Sequence, residues 1–212
     1  MVIIVATVLA MGVVRVVWVW STPDRLDVPV PEGVALGPNG LPEGFEYAAD
    51  TDGRGDELIC GTIAWELVGD VPPGGATAVK DGVGLLSSIT GLTVQPKSEA
   101  HLPSVVFTLE FVSAAEIKQT ADGAAEAIGL AITVHGAGGI QGSEILLNDD
   151  YFDEALRQDK DNAVLVVLHE LGHAIGLGHS NDPASVMYPY NSTESRITEA
   201  DVVAFQKAAP DC

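Results

Sequence analysis

Three histidines and a glutamate are gathered in the segment HELGHAIGLGHS, residues 169–180. His169 and His173 are four apart, so on an α-helix they project from nearly the same face and can share one metal ion. Glu170 follows the first of them directly, where it can reach a water at that metal without being a ligand itself. HExxH alone is a moderate signal, because a helix can carry two histidines and a glutamate without catalysing anything. Here the pattern continues. Gly176 falls where a helix commonly ends in a left-handed residue that turns the chain sharply, and Gly178 adds freedom before His179. That turn is expected to bring a third imidazole to the same point. Three neutral histidines leave a fourth position for water, the arrangement of catalytic rather than structural zinc sites. The chemistry indicated is hydrolysis by a zinc-activated water, with His169, His173 and His179 as metal ligands and Glu170 as general base.

Such a site needs a helix to present the first two imidazoles and a framework to hold it. A helix is expected from about Asn162 to Ile175, with Asp161 available as N-cap. Upstream, Leu58 to Leu67 reads as a strand. From Gly75 to Thr90, Ala76, Val79, Val83, Leu86 and Ile89 recur at three- and four-residue intervals and mark an amphipathic helix. Ser104 to Val112 and Leu130 to Val134 are rich in β-branched and aromatic residues, and Glu144 to Leu147 is a shorter strand candidate. A glycine-rich turn, residues 136–139, separates the last two, and an acidic stretch, NDDYFDEALRQDKDN, precedes the helix. The order of elements indicates an α+β domain over residues 57–212.

The extended pattern HExxHxxGxxH, followed by ASVMYPY at residues 184–190, resembles the metzincin metalloproteases, and its wording is similar to the matrixin group. RITEADVVAFQKA, residues 196–208, looks like the matrixin C-terminal helix. The resemblance implies a zincin-like fold: a twisted, mostly parallel five-stranded sheet with an antiparallel edge strand over the cleft. Leu130 to Val134 would be that edge strand, pairing with extended polypeptide substrate. It further implies an endopeptidase with one catalytic zinc, Met187 packed beneath the metal without ligating it, and Tyr190 outside the ligand set. A structural Ca²⁺ near Asp149 and Asp150 is compatible with the family, and an acidic loop is an equally good account of that pair. The chain departs from the family in two places. No PRCGxPD-like latency motif is present, so Cys60 in LICGT is not read as a cysteine switch. His101 and His135 lack suitably spaced partners for a second zinc, and both read as satisfied or exposed imidazoles.

Bulk properties set the outer bounds. The 212 residues, 47% of them hydrophobic, can bury the core of one ordinary domain. Ten Lys and Arg against thirty Asp and Glu give a formal charge of -20, which repels phosphate backbones and excludes nucleic acid as a natural partner. Residues 1–20 are apolar except for Thr7, Gly12 and Arg15, long enough to cross a bilayer. They read as an uncleaved membrane anchor in preference to a cleavable signal, which places the domain outside the cytoplasm, at the cell surface or secreted. Residues 21–56 hold five prolines and six glycines and are expected to be a linker. Cys60 and Cys212 are either one disulfide or two free thiols, the former favoured by export. Two other readings compete: a catalytically silent zinc-binding module, against which Glu170 argues, and an amidase acting on non-protein amides. Cleavage preference and oligomeric state are not written in the sequence.

Overall fold

Along VVFTLEFV every second residue is buried, Val105, Phe107, Leu109 and Phe111, and this alternation makes the segment a strand with one face in the core. It lies at the centre of a five-stranded sheet in a computed structural model that describes residues 33–48, 62–98, 105–120, 127–136 and 139–209. In chain order the elements are β1 (Phe45–Tyr47), β2 (Ile63–Val68), α1 (Gly75–Thr90), β3 (Val94–Pro96), β4 (Val105–Val112), α2 (Ala114–Thr120), β5 (Gly129–Gly136), β6 (Gly139–Asn148), α3 (Asp149–Gln158), α4 (Lys160–Ala174), β7 (Leu177–Ser180) and α5 (Glu199–Ala208).

The sheet order is β3-β2-β4-β6-β5. The first four strands are parallel and β5 runs antiparallel to β6 at the edge, as the resemblance implied. Helices α1 and α4 pack against each other, and Val79, Val83, Leu86, Val167, Leu168 and Leu171 join Phe107, Leu109 and Ile145 in one hydrophobic core. Helix α1 spans the residues that its three- and four-residue periodicity predicts.

Three local expectations change. Helix α4 begins at Lys160 and is capped by Asp159, whose side chain accepts from the Asn162 N–H at 3.1 Å, so Asp161 is a first-turn acid rather than the cap. The acidic stretch folds as α3, with Asn148 as N-cap and Asp149 and Asp150 in the first turn, where a carboxylate meets the positive end of the helix dipole. Strand β6 runs for ten residues, longer than its β-branched centre suggests, because it has a neighbour on both sides and ladder bonds carry the weaker residues.

Part of the stretch expected to be a linker is docked on the domain. Residues 33–48 turn at Pro38 and Asn39, with Gly40 N–H donating to Gly37 O at 3.1 Å. They bury Leu41 completely and Phe45 almost so, and β1 pairs antiparallel with β7. The apolar segment at 1–20, both cysteines and His101 lie outside the described residues. No helix among the described residues is long and apolar enough to cross a membrane.

Candidate metal centre and cleft

Helix α4 carries His169 and His173 on one face and stops at Ile175, after which Gly176 adopts φ 100°. This is the left-handed turn expected from sequence, and it reverses the chain into β7, which carries His179. The three rings meet. Their centroids are 4.6 Å (His169 to His173), 4.8 Å (His173 to His179) and 5.4 Å (His169 to His179) apart, and one nitrogen from each lies within 4.8 Å of the others.

Gly178 has a different reason from the one its position suggests. Its φ is not positive, and a β-carbon there would stand 3.0 Å from the carbonyl oxygens of both Glu46 and Tyr47. The residue is small because β1 lies against it, not because the chain needs freedom.

Backbone carbonyls fix the two helical imidazoles. His169 Nδ1 lies 2.7 Å from Val186 O, and His173 Nδ1 lies 2.8 Å from Leu177 O. A carbonyl only accepts, so each Nδ1 carries the proton and each Nε2 keeps its lone pair. The two Nε2 atoms are 3.0 Å apart, lone pair to lone pair. Burial and then the neighbouring His173 hold His169 down to about 3, against the Val186 carbonyl that raises it, and burial holds His173 down to about 4, against the Leu177 carbonyl. Burial also lowers His179, against the opposing charge of Glu46. Neutral imidazoles aiming lone pairs at one point repel each other unless a cation sits between them, so the donor set fits a borderline-soft divalent ion such as zinc.

Glu170 follows His169 on the same helix turn and is buried against Gly129 of β5. Burial pushes its carboxyl up to about 8, partly offset by a hydrogen bond from the Ala131 N–H. A nearby dication would reverse that preference and favour the carboxylate. Met187 is fully buried against Gly172 of α4, and Ser180 N–H donates to Met187 O at 2.9 Å, tying β7 to the turn at 185–188. That turn is held from α5. Asp201 accepts from Ser185 Oγ at 2.5 Å, from Val186 N at 3.3 Å and from Thr198 N at 2.7 Å, and Ser185 Oγ in turn accepts from Met187 N at 3.0 Å.

The histidines and Glu170 open onto a cleft of about 1050 Å³. One wall is β5, from Gly129 to His135, and the other is the segment Tyr188–Pro189–Tyr190–Asn191; Tyr151 and Leu165 also line it. Tyr190 is exposed and lines the cleft, its ring meeting that of Tyr188 edge-on with centroids 5.7 Å apart. His135 is exposed beside the cleft and is not brought to the metal centre. Asp149 and Asp150 are at the start of α3 and are likewise not brought to it. Sequence reasoning missed Asp201, Gly129 and the segment at 33–48. The first was legible as TEAD, a capping box ahead of an apolar run, and its Thr198 and Asp201 do exchange both bonds.

A profile of the matrixin family matches residues 78–208. Rat (Rattus norvegicus) macrophage metalloelastase is 51% identical over 55 residues, which cover 24% of this chain and 10% of that protein. Rat matrilysin is 37% identical over 73 residues, 32% of this chain and 27% of that protein. The chain thus matches about a quarter or less of the length of these two relatives. Among solved structures, archaemetzincin from Methanopyrus kandleri aligns with a TM-score of 0.42 at 15% identity, over 71% of this chain and 88% of its own.

Proposed function

The chain belongs to the matrixin family of peptidases, and from that premise we propose that it is a zinc-dependent endopeptidase in which His169, His173 and His179 hold the metal and Glu170 is the general base. The observation that carries the reading is the pair of Nε2 lone pairs meeting at 3.0 Å while both Nδ1 atoms are committed to carbonyls. A structural role needs no base, and Glu170 is a carboxyl buried within the same cleft.

When bound, zinc supplies Lewis acidity for the scissile carbonyl and for the attacking water. The chain's own groups do the rest. Val186 O and Leu177 O keep His169 and His173 in one tautomer and one orientation, and so fix where the lone pairs aim. Glu170 takes the proton of the attacking water and returns it to the leaving amine. Strand β5, at the sheet edge, offers its outer backbone groups to an extended peptide, which then lies antiparallel along it and across the imidazoles. The fully buried Met187 beneath the site supports the floor without ligating.

The proposal includes action outside the cytoplasm, supported by the apolar residues 1–20. It extends to a structural calcium only through the chain's acidity and the Asp149–Asp150 pair. Millimolar Ca²⁺ then raises the melting temperature of the zinc-loaded chain, and no shift removes calcium from the account. The central test is metal content measured together with cleavage of a denatured protein and of a peptide library, with and without a chelator. Stoichiometric zinc and chelator-sensitive cleavage are expected. Cleavage that survives complete metal removal would sink the proposal, and cleavage of non-peptide amides alone would favour an amidase.

A further inference from the structure

We propose that residues 33–48 are a working part of the metal centre: β1 is a splint that fixes β7 and thereby aims His179, so the functional domain begins near residue 33 rather than 57. The inference rests on the reading of the three histidines as zinc ligands.

His179 is held differently from the other two. His169 and His173 ride on a fifteen-residue helix and each is fixed by a carbonyl at its Nδ1. His179 stands on a strand of four residues, and among the described residues no carbonyl holds its ring. Where its imidazole points is therefore set by where the backbone of β7 lies. A strand this short has no stability of its own and takes its position from its neighbours.

On one side that neighbour is the buried turn, through Ser180 N–H to Met187 O. On the other it is β1, with Phe45 opposite Ser180 and Tyr47 opposite Leu177. Hydrogen bonds bracket the ligand at both ends of this pairing: Ala48 N–H donates to Gly176 O at 2.8 Å, and Asn181 N–H donates to Gly44 O at 3.1 Å. Between them, Gly178 lets the carbonyls of Glu46 and Tyr47 come to a distance at which a β-carbon would be in forced contact with both. The glycine next to the ligand is thus fitted to β1.

The splint is itself anchored. Leu41 and Phe45 belong to the main core, and Asn39 Nδ2 donates to Phe45 O at 2.9 Å, bracing the strand from the turn that precedes it. A passive spacer has no reason to bury two large apolar residues and to pair with a strand far away in the chain. The spacing between His173 and His179 brings the third imidazole near the metal; β1 holds it there.

The test uses the full chain and reads zinc affinity by competition with a chelator. Ala48→Pro removes the donor to Gly176 O, Phe45→Ala loosens the anchor, His179→Ala removes the ligand, and Val105→Ala, a buried cut in the central sheet, is the stability reference. Ala48→Pro and Phe45→Ala should bind zinc about 10- to 100-fold more weakly, the usual effect of losing an outer support. Val105→Ala should bind as wild type does. Because coupling is reciprocal, zinc should also slow amide exchange at Ala48 and Asn181 in the wild type. Should Ala48→Pro not fold, Phe45→Ala decides. Wild-type affinity in Phe45→Ala, with His179→Ala deficient, overturns the splint and leaves the metal site intact. An equal loss in Val105→Ala also overturns it, as general loosening. Full zinc binding by His179→Ala instead removes the reading of the site on which the splint depends.

Discussion

Gly129 and Glu170 are packed so closely that a β-carbon on the glycine would stand 2.7 Å from both Cγ and Cδ of the glutamate. The edge strand proposed to receive substrate is therefore also the wall against which the base is set, and the Ala131 N–H two residues on holds its carboxyl. Gly129→Ala must push the carboxyl aside without touching an imidazole. Zinc content should stay near wild type while kcat/KM falls about 10²-fold, the effect of displacing a reacting group by an ångström or so. Undiminished turnover would mean that the position of Glu170 is immaterial.

Glu170→Gln keeps the shape and removes the base, whereas His173→Ala removes a ligand. The Gln variant should retain zinc yet lose about 10² to 10⁴ in kcat, the range of general acid-base catalysis. The Ala variant should lose zinc and activity together. Zinc loss in the Gln variant would recast Glu170 as a ligand or support.

Asp201 is fully buried and gathers donors from Ser185, Val186 and Thr198, and Val186 O in turn meets His169 Nδ1. Asp201→Ala strands those donors and breaks the helix cap. The expected loss of unfolding free energy is about 2–5 kcal/mol, read by urea unfolding of the metal-free chain. Zinc affinity should fall as well, because the carbonyl that orients His169 loses its tether. A stability loss with unchanged zinc affinity would confine Asp201 to folding.

The same residue sets a pH dependence. Burial raises the Asp201 carboxyl above its ordinary value, against hydrogen bonds from Ser185, Thr198 and Val186 that lower it. A carboxyl with a raised folded pKa contributes stability that is complete below its unfolded pKa and is lost as pH rises through the folded value. Relative to Asp201→Asn, which does not titrate, the wild type should therefore lose stability as pH rises above the ordinary aspartate value, because its folded carboxyl is raised from there. Parallel urea titrations of the two metal-free chains measure the difference, and the opposite slope would mean that the hydrogen bonds outweigh burial.

Zinc binds the folded arrangement and not the separated imidazoles of the unfolded chain, so mass action makes it a stabiliser. At free zinc near a thousand times Kd the gain is about 4 kcal/mol. Calorimetry should show a melting temperature that rises with zinc and drops on chelation. A zinc-independent melting temperature would contradict a three-histidine site that forms only on folding.

Sequence alone determined the relations that one element contains. His169, Glu170 and His173 share a helix, and 3.6 residues per turn fix their directions before any packing is known. Gly176 marked the turn because left-handed backbone favours glycine, and α1 was legible from end to end because a single apolar face ran its whole length. The strand at β4 followed from its β-branched and aromatic composition, and the edge position of β5 from the matrixin resemblance. Tertiary structure decided what depends on a partner distant in the chain. Phe45 opposite Ser180, Gly178 under the carbonyls of β1, Gly129 against Glu170 and Asp201 beneath Val186 are all contacts between separate elements. A three-residue strand in a stretch rich in proline and glycine has no period to read. Its stability lies in hydrogen bonds to β7 and in two apolar anchors, and neither is encoded in its own local sequence.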